Sequence, residues 1–298
     1  MNREDYIIVP TPLDFNLDQC LVYLNRSNQE VLHKVNGKKL TKLLKINESP
    51  LLIEITSGEN ALTVEFPFGT PSQEKGVAVY SYIWDWFDLG RNLEGFYKMA
   101  NEDLILQNIV PKHSGLRIVG IPDLFEALTW AVIGQQINLT FAYTLKKRFV
   151  EHFGEKLEHQ DEEFWLYPRS ETIAALTVND LKGLQFTTRK AEYVIGIAKA
   201  IVSREITKQG LLQLDYSDMK NRLMKLRGVG EWTADYVMMR CLHQTSAFPA
   251  ADIGIHHALR KQFGLDRKPS TNYVEKLSWN WGEWRAYAAF YLWRSQYG

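Results

Sequence analysis

The chain has 298 residues, 45% hydrophobic and 23% charged, which excludes extended disorder and fibrous structure and predicts two domains at about 150 residues each. Its two cysteines, Cys20 and Cys241, are too few for a disulfide framework or a four-cysteine zinc or iron–sulfur site. The chain has 35 basic and 35 acidic residues, so its net charge is zero. The charge is uneven, because residues 1–116 hold 11 basic and 15 acidic residues and residues 117–298 hold the other 24 basic and 20 acidic ones. The mildly basic charge of residues 117–298 is compatible with a DNA-binding face.

The amino terminus, MNREDYIIVP, carries acidic residues and lacks the apolar core of a signal peptide. No stretch approaches the roughly 18 uninterrupted apolar residues that a membrane-spanning helix needs. From these two features we expect a soluble, cytoplasmic protein.

Residues 1–114 are expected to form an α/β domain with an antiparallel sheet. The segments LVYLNR (21–26), SPLLIEITS (49–57) and ALTVEFPFG (61–69) are short, rich in β-branched and aromatic residues, and bounded by Asn, Ser, Gly or Pro, which is typical of strands. Between the first two, EVLHKVNGKKLTKLLKI (30–46) ends in a basic, helix-compatible stretch. From Trp84 onward, apolar residues recur three to four apart, which is the helical period.

Residues 115–298 are expected to form an all-α domain, so the predicted fold class is α+β. Asp123 stands where a helix N-cap is needed before LFEALTWAVIGQ, and TFAYTLKKRFVEHFG ends at Gly154, a plausible C-cap. Four further segments have helical length: TIAALTVNDLKGL, RKAEYVIGIAKAIVSR, DYSDMKNRLMKL and the aromatic KLSWNWGEWRAYAAFYLWRSQ at the carboxyl end.

The segment LMKLRGVGEWTADYVMMRCL (223–242) carries the clearest motif. A helical run breaks at Leu226-Arg227-Gly228-Val229-Gly230, and a second helix begins near Glu231. Glycines leave the backbone bare, so amide N–H groups can approach a phosphate at the positive end of the second helix. The pattern predicts a helix–hairpin–helix that grips a DNA backbone, the alternative being an ordinary αα-hairpin with a glycine turn.

Asp252 follows the second helix in SAFPAADIGIHHAL, at a predicted helix start. Aspartate is a common N-cap residue, so a purely structural role would also explain it. A capping carboxylate beside a cleft is, however, held in place where it can stabilise positive charge on a sugar as an N-glycosidic bond breaks. His256 and His257 lack metal-ligand spacing and HExxH is absent, so we place both on a helix surface.

Together these motifs resemble the helix–hairpin–helix DNA glycosylase superfamily, and most closely its bacterial DNA-3-methyladenine glycosylase II (AlkA-type) branch. The hairpin reads L-x-G-V-G-x-W-T-A and is followed by P-x-x-D. The similarity also covers WDWFDL (84–89), GLRIVGIPDLFEALTWAVIGQQ (115–136), RKAEYVIGIA (189–198) and EWRAYAAFYLW (283–293). The resemblance implies a TATA-binding-protein-like domain for residues 1–114 and a glycosylase domain for residues 115–298.

The resemblance also implies roles for single residues. Asp252 matches the catalytic aspartate, and Trp232, Tyr236 and Trp293 match aromatic positions of the base pocket, although large aromatics on helices are more often core. Residues 226–230 match the DNA-binding hairpin, whose carbonyls in this superfamily often hold a monovalent cation. Gln135 and Gln136 match positions that enter the minor groove, where some members have a leucine wedge. No other cofactor is implied.

The implied activity is hydrolysis of the N-glycosidic bond of alkylated purines in duplex DNA. Members that also cut the strand carry a lysine two residues after the second hairpin glycine; here that residue is Trp232, so no Schiff base can form there. We therefore predict a monofunctional enzyme that binds double-stranded DNA at the nucleoid, acts as a monomer and leaves an abasic site. The alternatives are a non-catalytic lesion-binding protein of the same fold and a lyase that uses a lysine from elsewhere.

Overall fold

A computed structural model describes residues 6–297. The amino-terminal part contains five strands, β1 (Tyr6–Pro10), β2 (His33–Asn36), β3 (Lys39–Ile46), β4 (Ser49–Ser57) and β5 (Ala61–Glu65). They form one antiparallel sheet in the order β1-β5-β4-β3-β2. Helices α1 (Leu17–Leu24), α2 (Gln73–Trp86) and α3 (Glu94–Glu102) complete this part, so the predicted antiparallel sheet is confirmed.

Two local predictions in this part are wrong. Residues 21–24 of LVYLNR are the last residues of α1, and Asn25 is its C-cap; Asn16 caps the start of the helix by accepting a hydrogen bond from the Asp18 amide, and five of the eight helix residues are buried. The basic stretch of residues 39–46 is strand β3, not a helix, because it pairs with β2 on one side and β4 on the other. Long-range pairing overrides local composition there. The predicted strand SPLLIEITS is confirmed as β4, whereas only the first five residues of the predicted ALTVEFPFG form a strand, β5.

The carboxyl-terminal part is predominantly helical, as predicted. Its helices are α4 (Leu124–Gly134), α5 (Leu139–Phe153), α6 (Ser170–Ala174), α7 (Val178–Lys182), α8 (Thr188–Val202), α9 (Lys208–Leu212), α10 (Tyr216–Met224), α11 (Glu231–Arg240), α12 (Ile253–Phe263), α13 (Thr271–Ser278) and α14 (Arg285–Arg294). Asp123 caps α4 and Gly154 ends α5, so both predicted caps are confirmed.

Three details of this part differ from the prediction. Strands β6 (Lys156–His159) and β7 (Glu162–Trp165) form a hairpin inside the expected all-α region, and it packs on the amino-terminal sheet through Phe164, Leu43 and Leu52. TIAALTVNDLKGL is divided between α6 and α7. The terminal aromatic segment is interrupted at Gly282, where φ is +52°, by a 3₁₀ stretch that precedes α14.

The two parts share one hydrophobic core. Polar contacts also join them: Asp85 accepts a hydrogen bond from Lys208 and lies 2.7 Å from the His243 ring nitrogen, and the Tyr287 hydroxyl donates to Asp88. A domain boundary after residue 114 therefore stays a prediction. Over residues 6–297, the helices are too short or too polar to cross a bilayer.

Candidate active site

The glycine turn joins α10 and α11 as the sequence predicts. Gly230 is the N-cap residue of α11, and no side chain within the described residues caps that first turn, so its amides lack a side-chain acceptor at the positive end of the helix. Leu226 and Val229 are buried beneath the turn, whereas Arg227 is exposed and pairs with Glu192 at 2.7 Å. The hairpin thus combines an apolar anchor with a bare, anion-accepting tip.

The two hairpin glycines differ in whether the fold requires a glycine at their position. Gly228 has φ +92°, a backbone region that side chains rarely adopt. A Cβ atom there would lie 2.3 Å from the ring of Tyr193. Gly230 has an ordinary φ of −96° and open space around its missing side chain. The fold therefore requires glycine at 228 but not at 230.

The adjacent residues Gln135 and Gln136 have different environments in the structure. Gln135 donates to the Gly228 carbonyl at 2.9 Å and to the Thr233 hydroxyl at 2.8 Å, so it holds the hairpin against the end of α4. Gln136 is exposed and has a left-handed φ of +58°. Of the two, Gln136 is the one whose side chain is exposed, and its contact with DNA stays a prediction.

The implied monovalent cation would be held by hairpin carbonyls. The Gly228 carbonyl accepts from Gln135 and the Leu226 carbonyl accepts from the Val229 amide. Each carbonyl oxygen has a second lone pair, so these oxygens are compatible with a cation, and its binding stays a prediction. Elsewhere between residues 6 and 297, no three His, Cys, Asp or Glu side chains converge as metal ligands.

Asp235 links the two helices of the hairpin. It is buried on α11 and accepts hydrogen bonds from Lys220 at 3.0 Å and from the Tyr216 hydroxyl at 3.3 Å, both on α10. Burial raises the pKa of Asp235 to about 6, against the lowering effect of Lys220. The carboxyl therefore takes up a proton at a higher pH in the folded chain than in the unfolded one.

Stability should consequently depend on pH through Asp235. Because the folded-state pKa is raised, this group adds stability as pH falls through 6 and adds none above it. Between pH 7 and pH 5 the free energy of unfolding of the wild type should rise by about 1 kcal/mol relative to Asp235→Asn. Urea unfolding of both proteins at the two pH values measures this difference, and an unchanged difference would contradict the assignment.

Asp252 is the N-cap residue of α12, as predicted. Its Oδ1 accepts hydrogen bonds from the amides of Gly254 at 2.8 Å and Ile255 at 3.1 Å, and from the indole of Trp293 at 2.8 Å. Its Oδ2 accepts one longer bond, 3.2 Å, from the indole of Trp232. The carboxylate is fixed by four donors, and Oδ2 keeps the unused accepting capacity.

The three aromatic residues predicted to form the pocket are brought together beside Asp252. The rings of Trp232 and Tyr236 are stacked with centroids 5.6 Å apart, and Tyr236 and Trp293 follow at 5.9 Å. Tyr236 and Trp293 are buried, and Trp232 is half-buried. Burial raises the pKa of Tyr236, so its phenol stays neutral and offers an uncharged face. We call these three rings, Trp232, Tyr236 and Trp293, the aromatic wall; they lie in sequence beside the Asp252 carboxylate.

The hydroxyl of Tyr236 is held by residues that sequence reasoning missed. It accepts hydrogen bonds from the Trp130 indole and from Arg240, each at 2.9 Å. Arg240 also donates to the Tyr23 hydroxyl at 2.7 Å and to the Val119 carbonyl at 2.6 Å. The spacing of Tyr236 and Arg240, one helical turn, was the only local signal; Tyr23 comes from the other part of the chain.

The placement of His256 on a surface is wrong, while His257 is exposed. The His256 side chain is fully buried, with one ring nitrogen 2.8 Å from the Ala250 carbonyl and the other 2.9 Å from the Pro269 carbonyl. It sits one turn inside α12 and holds the loop that leads into Asp252. Its partners lie outside its own helix, so no local pattern could show this role.

Gly254 has a spatial requirement that the sequence did not reveal. A Cβ atom at this position would lie 3.0 Å from Oδ1 of Asp252 and 3.2 Å from the Trp293 ring. Gly254→Ala should therefore displace the carboxylate and lower the single-turnover rate of base release about tenfold or more. Gly196→Ala, on an exposed face of α8 with open space, is the control and should keep the wild-type rate. Equal rates in both variants would contradict this reading.

Comparisons with known proteins agree with this geometry. The family model described as "HhH-GPD superfamily base excision DNA repair protein" matches residues 129–283, and "8-oxoguanine DNA glycosylase, N-terminal domain" matches residues 10–128. The chain is 41% identical over 98% of both lengths to a Bacillus subtilis protein named DNA-3-methyladenine glycosylase.

Two solved structures share the fold. A 3-methyladenine DNA-glycosylase from Archaeoglobus fulgidus superposes with a TM-score of 0.83 at 22% identity, over 96% of this chain and 97% of that one. A Clostridium acetobutylicum 8-oxoguanine glycosylase/lyase has a TM-score of 0.75 at 20% identity, over 98% and 96%. Both parts of the chain therefore have counterparts in DNA glycosylases.

Proposed function

The chain belongs to the HhH-GPD superfamily of base excision DNA repair proteins, and from that premise we propose that it is a monofunctional DNA glycosylase for alkylated purines. It takes the damaged base out of duplex DNA, hydrolyses the N-glycosidic bond and leaves an abasic site. The observation that carries the proposal is Asp252, whose carboxylate is bonded to the indole N–H groups of Trp232 and Trp293. One carboxylate and the aromatic wall are thereby held as a single unit.

DNA is bound through the backbone rather than through a lysine patch. The bare first turn of α11 offers amides and a positive helix end to a phosphate. Gln135 keeps the hairpin in place, and the exposed Gln136 enters the minor groove beside the flipped nucleotide. Flipping costs a few kcal/mol, less at a damaged pair. This mode of binding suits a chain whose net charge is zero.

The chemistry needs only one carboxylate. A purine alkylated at N3 or N7 is already cationic, so the bond electrons leave with the base and neutralise it without an added proton. Stacking on Trp232, Tyr236 and Trp293 stabilises the cationic base by about 0.5–2 kcal/mol. Asp252 faces the positive charge that develops on the sugar, and Oδ2 orients the water whose oxygen bonds to the anomeric carbon. The water proton passes to solvent.

Trp232 supports a monofunctional reaction. The fold is shared with a glycosylase/lyase, so it does not discriminate between the two reactions, but an indole cannot form a Schiff base. Buried or part-buried lysines on the helices of this part are engaged: Lys190 donates to the Ile133 carbonyl, Lys220 pairs with Asp235, and Lys146 pairs with Glu30. Borohydride should therefore trap no covalent adduct with an abasic duplex, and a trapped adduct would refute this part of the proposal.

The direct test is to incubate methylated duplex DNA with the protein and identify the released bases by mass. Release of 3-methyladenine and 7-methylguanine without strand cleavage is the expected result. Binding of the lesion without any release would instead support a non-catalytic lesion-binding protein. That alternative accounts for Asp252 only as the cap of α12, and it gives no reason for a carboxylate close to DNA phosphates, where its charge opposes binding.

A further inference from the structure

A small polar cavity lies between the two parts of the chain, next to the hydroxyl of Tyr236. Its volume is about 40 Å³. His33 and Lys42 line it from the amino-terminal part, and Trp130 and Arg240 line it from the helical part. Trp130 and Arg240 are also the two donors to the Tyr236 hydroxyl. The side chains that hold this hydroxyl therefore form one side of the cavity.

Cationic side chains outnumber carboxylates in the lining of this cavity. The lining holds four cationic side chains and two acidic ones: Arg26, Lys42, Lys146, Arg240, Glu30 and Glu126. Burial lowers the pKa of His33 to about 4, so this ring adds no charge near pH 7. Burial also raises the pKa of Glu126. The lining therefore carries a surplus of two positive charges when both carboxyl groups are ionised, and a larger one when Glu126 takes up a proton.

Most of this positive charge has no carboxylate partner. Lys146 is paired, at 2.8 Å from Glu30. Within residues 6–297, the other three donate to uncharged oxygens, namely Lys42 to the Leu32 carbonyl, Arg26 to the Tyr23 carbonyl, and Arg240 to the Val119 carbonyl and the hydroxyls of Tyr23 and Tyr236. The protein itself thus supplies too little negative charge for this cavity.

Lys42 and Arg240 are deeply buried, at 7% and 3% exposure. Burying a charge without a counter-charge is strongly unfavourable. Burial lowers the pKa of Lys42, against the opposing charges of Glu126 and Glu30. The hydrogen bonds of Arg240 to described residues use Nε and Nη1, so Nη2 keeps its N–H donors. A negatively charged occupant would accept from these groups and offset the surplus.

The volume of the cavity limits the kind of anion. A buried water needs about 10–15 Å³, so a cavity of about 40 Å³ has room for roughly three waters. A monatomic anion with a water fits the same space, whereas a nucleobase or a phosphate ester is too large. Waters alone would fill the cavity but would leave its positive charge uncompensated.

We propose that this cavity binds one small monovalent inorganic anion, such as chloride, through Lys42 and Arg240. The anion stabilises the junction between the two parts of the chain. Because Arg240 also donates to the Tyr236 hydroxyl, the anion helps to fix the middle ring of the aromatic wall. The inference goes beyond the proposed glycosylase function and does not depend on it, since its tests measure stability and diffraction.

The first test is thermal unfolding of the full chain in sodium chloride and in sodium gluconate at equal ionic strength, because gluconate is too large for the cavity. The melting temperature should be about 3 °C higher in chloride. Lys42→Met should abolish this difference. Lys39→Met is the matched control, because Lys39 lies on the same strand but pairs with Glu54 at 2.8 Å, outside the cavity; it should keep the difference.

Crystals of the wild type grown in sodium bromide give a direct second readout, which also decides the matter if Lys42→Met does not fold. An anomalous peak in the cavity, within contact of Lys42 Nζ and the Arg240 guanidinium, is the expected result. Water alone at that position, with no bromide peak in the cavity, would overturn the inference. Equal melting temperatures in the two salts, or a chloride effect that Lys42→Met retains, would overturn it as well.

Discussion

Asp252→Asn should lower the rate of base release about a thousandfold while leaving the fold and lesion binding intact. Removing one preorganised donor from an oxyanion hole costs 10²–10³ in rate, and here the loss is a full charge opposite the developing sugar cation. Asparagine is as good an N-cap residue as aspartate, so its amide oxygen can keep the bonds from Gly254 and Trp293. The amide nitrogen, in contrast, faces the Trp232 indole donor. The Asp252→Asn variant should therefore lose base release while keeping its fold.

The measurement is a single-turnover rate on a methylated duplex, with lesion binding and melting temperature recorded for the same preparation. Asp215→Asn is the matched control: Asp215 also caps a helix, accepting from the Asp218 amide at 2.8 Å, but it is exposed and stands at the start of α10, the end of that helix opposite the hairpin. Its rate should equal that of the wild type. Full activity in Asp252→Asn would remove the basis of the proposed mechanism.

Gly228→Ala should cost about 2–4 kcal/mol of folding free energy and abolish DNA binding with it. Alanine at φ +92° is strained, and its Cβ would overlap the Tyr193 ring at 2.3 Å. Relief requires Tyr193 or the whole turn to move, which also pulls the Gly228 carbonyl away from Gln135. Overpacking of this kind usually costs 1–3 kcal/mol in addition to the backbone strain.

Gly230→Ala is the informative partner variant. Its Cβ meets no atom within 4 Å and its φ is ordinary, so this variant should lose much less stability than Gly228→Ala, the remaining cost being that alanine is a poorer N-cap residue than glycine. If the amides at 230–232 contact a phosphate, the added methyl group should still weaken DNA binding, which a fluorescence titration at fixed salt would show. Wild-type stability in Gly228→Ala would contradict the reading of this turn.

The sequence was most informative for features that depend only on neighbouring residues. The break between α10 and α11, the capping role of Asp252 and the absence of a lysine at 232 are local features, because caps, glycine turns and helix starts depend on a few neighbouring residues. Trp232, Tyr236 and Trp293 were found through the family resemblance. The structure brings all three to the carboxylate, although their roles stay predictions until tested.

The errors have a common cause in interactions between distant segments. Residues 39–46 have a composition compatible with a helix, but they form a strand because β2 and β4 pair with that segment on either side. LVYLNR looks like a strand only when the preceding Leu17 and its cap at Asn16 are left out. His256 looks exposed until Ala250 and Pro269 close around it.

By itself, the sequence determined that this chain folds as a sheet-containing part followed by a helical one, with a glycine turn and a single capping aspartate, because each of these is a property of contiguous residues. Only the tertiary structure decided what surrounds Asp252 and Tyr236. The indoles that hold the carboxylate lie 20 and 41 positions from it, and Tyr23 meets Arg240 across 217. Such contacts arise when the two parts bury a common core, and no local pattern encodes them.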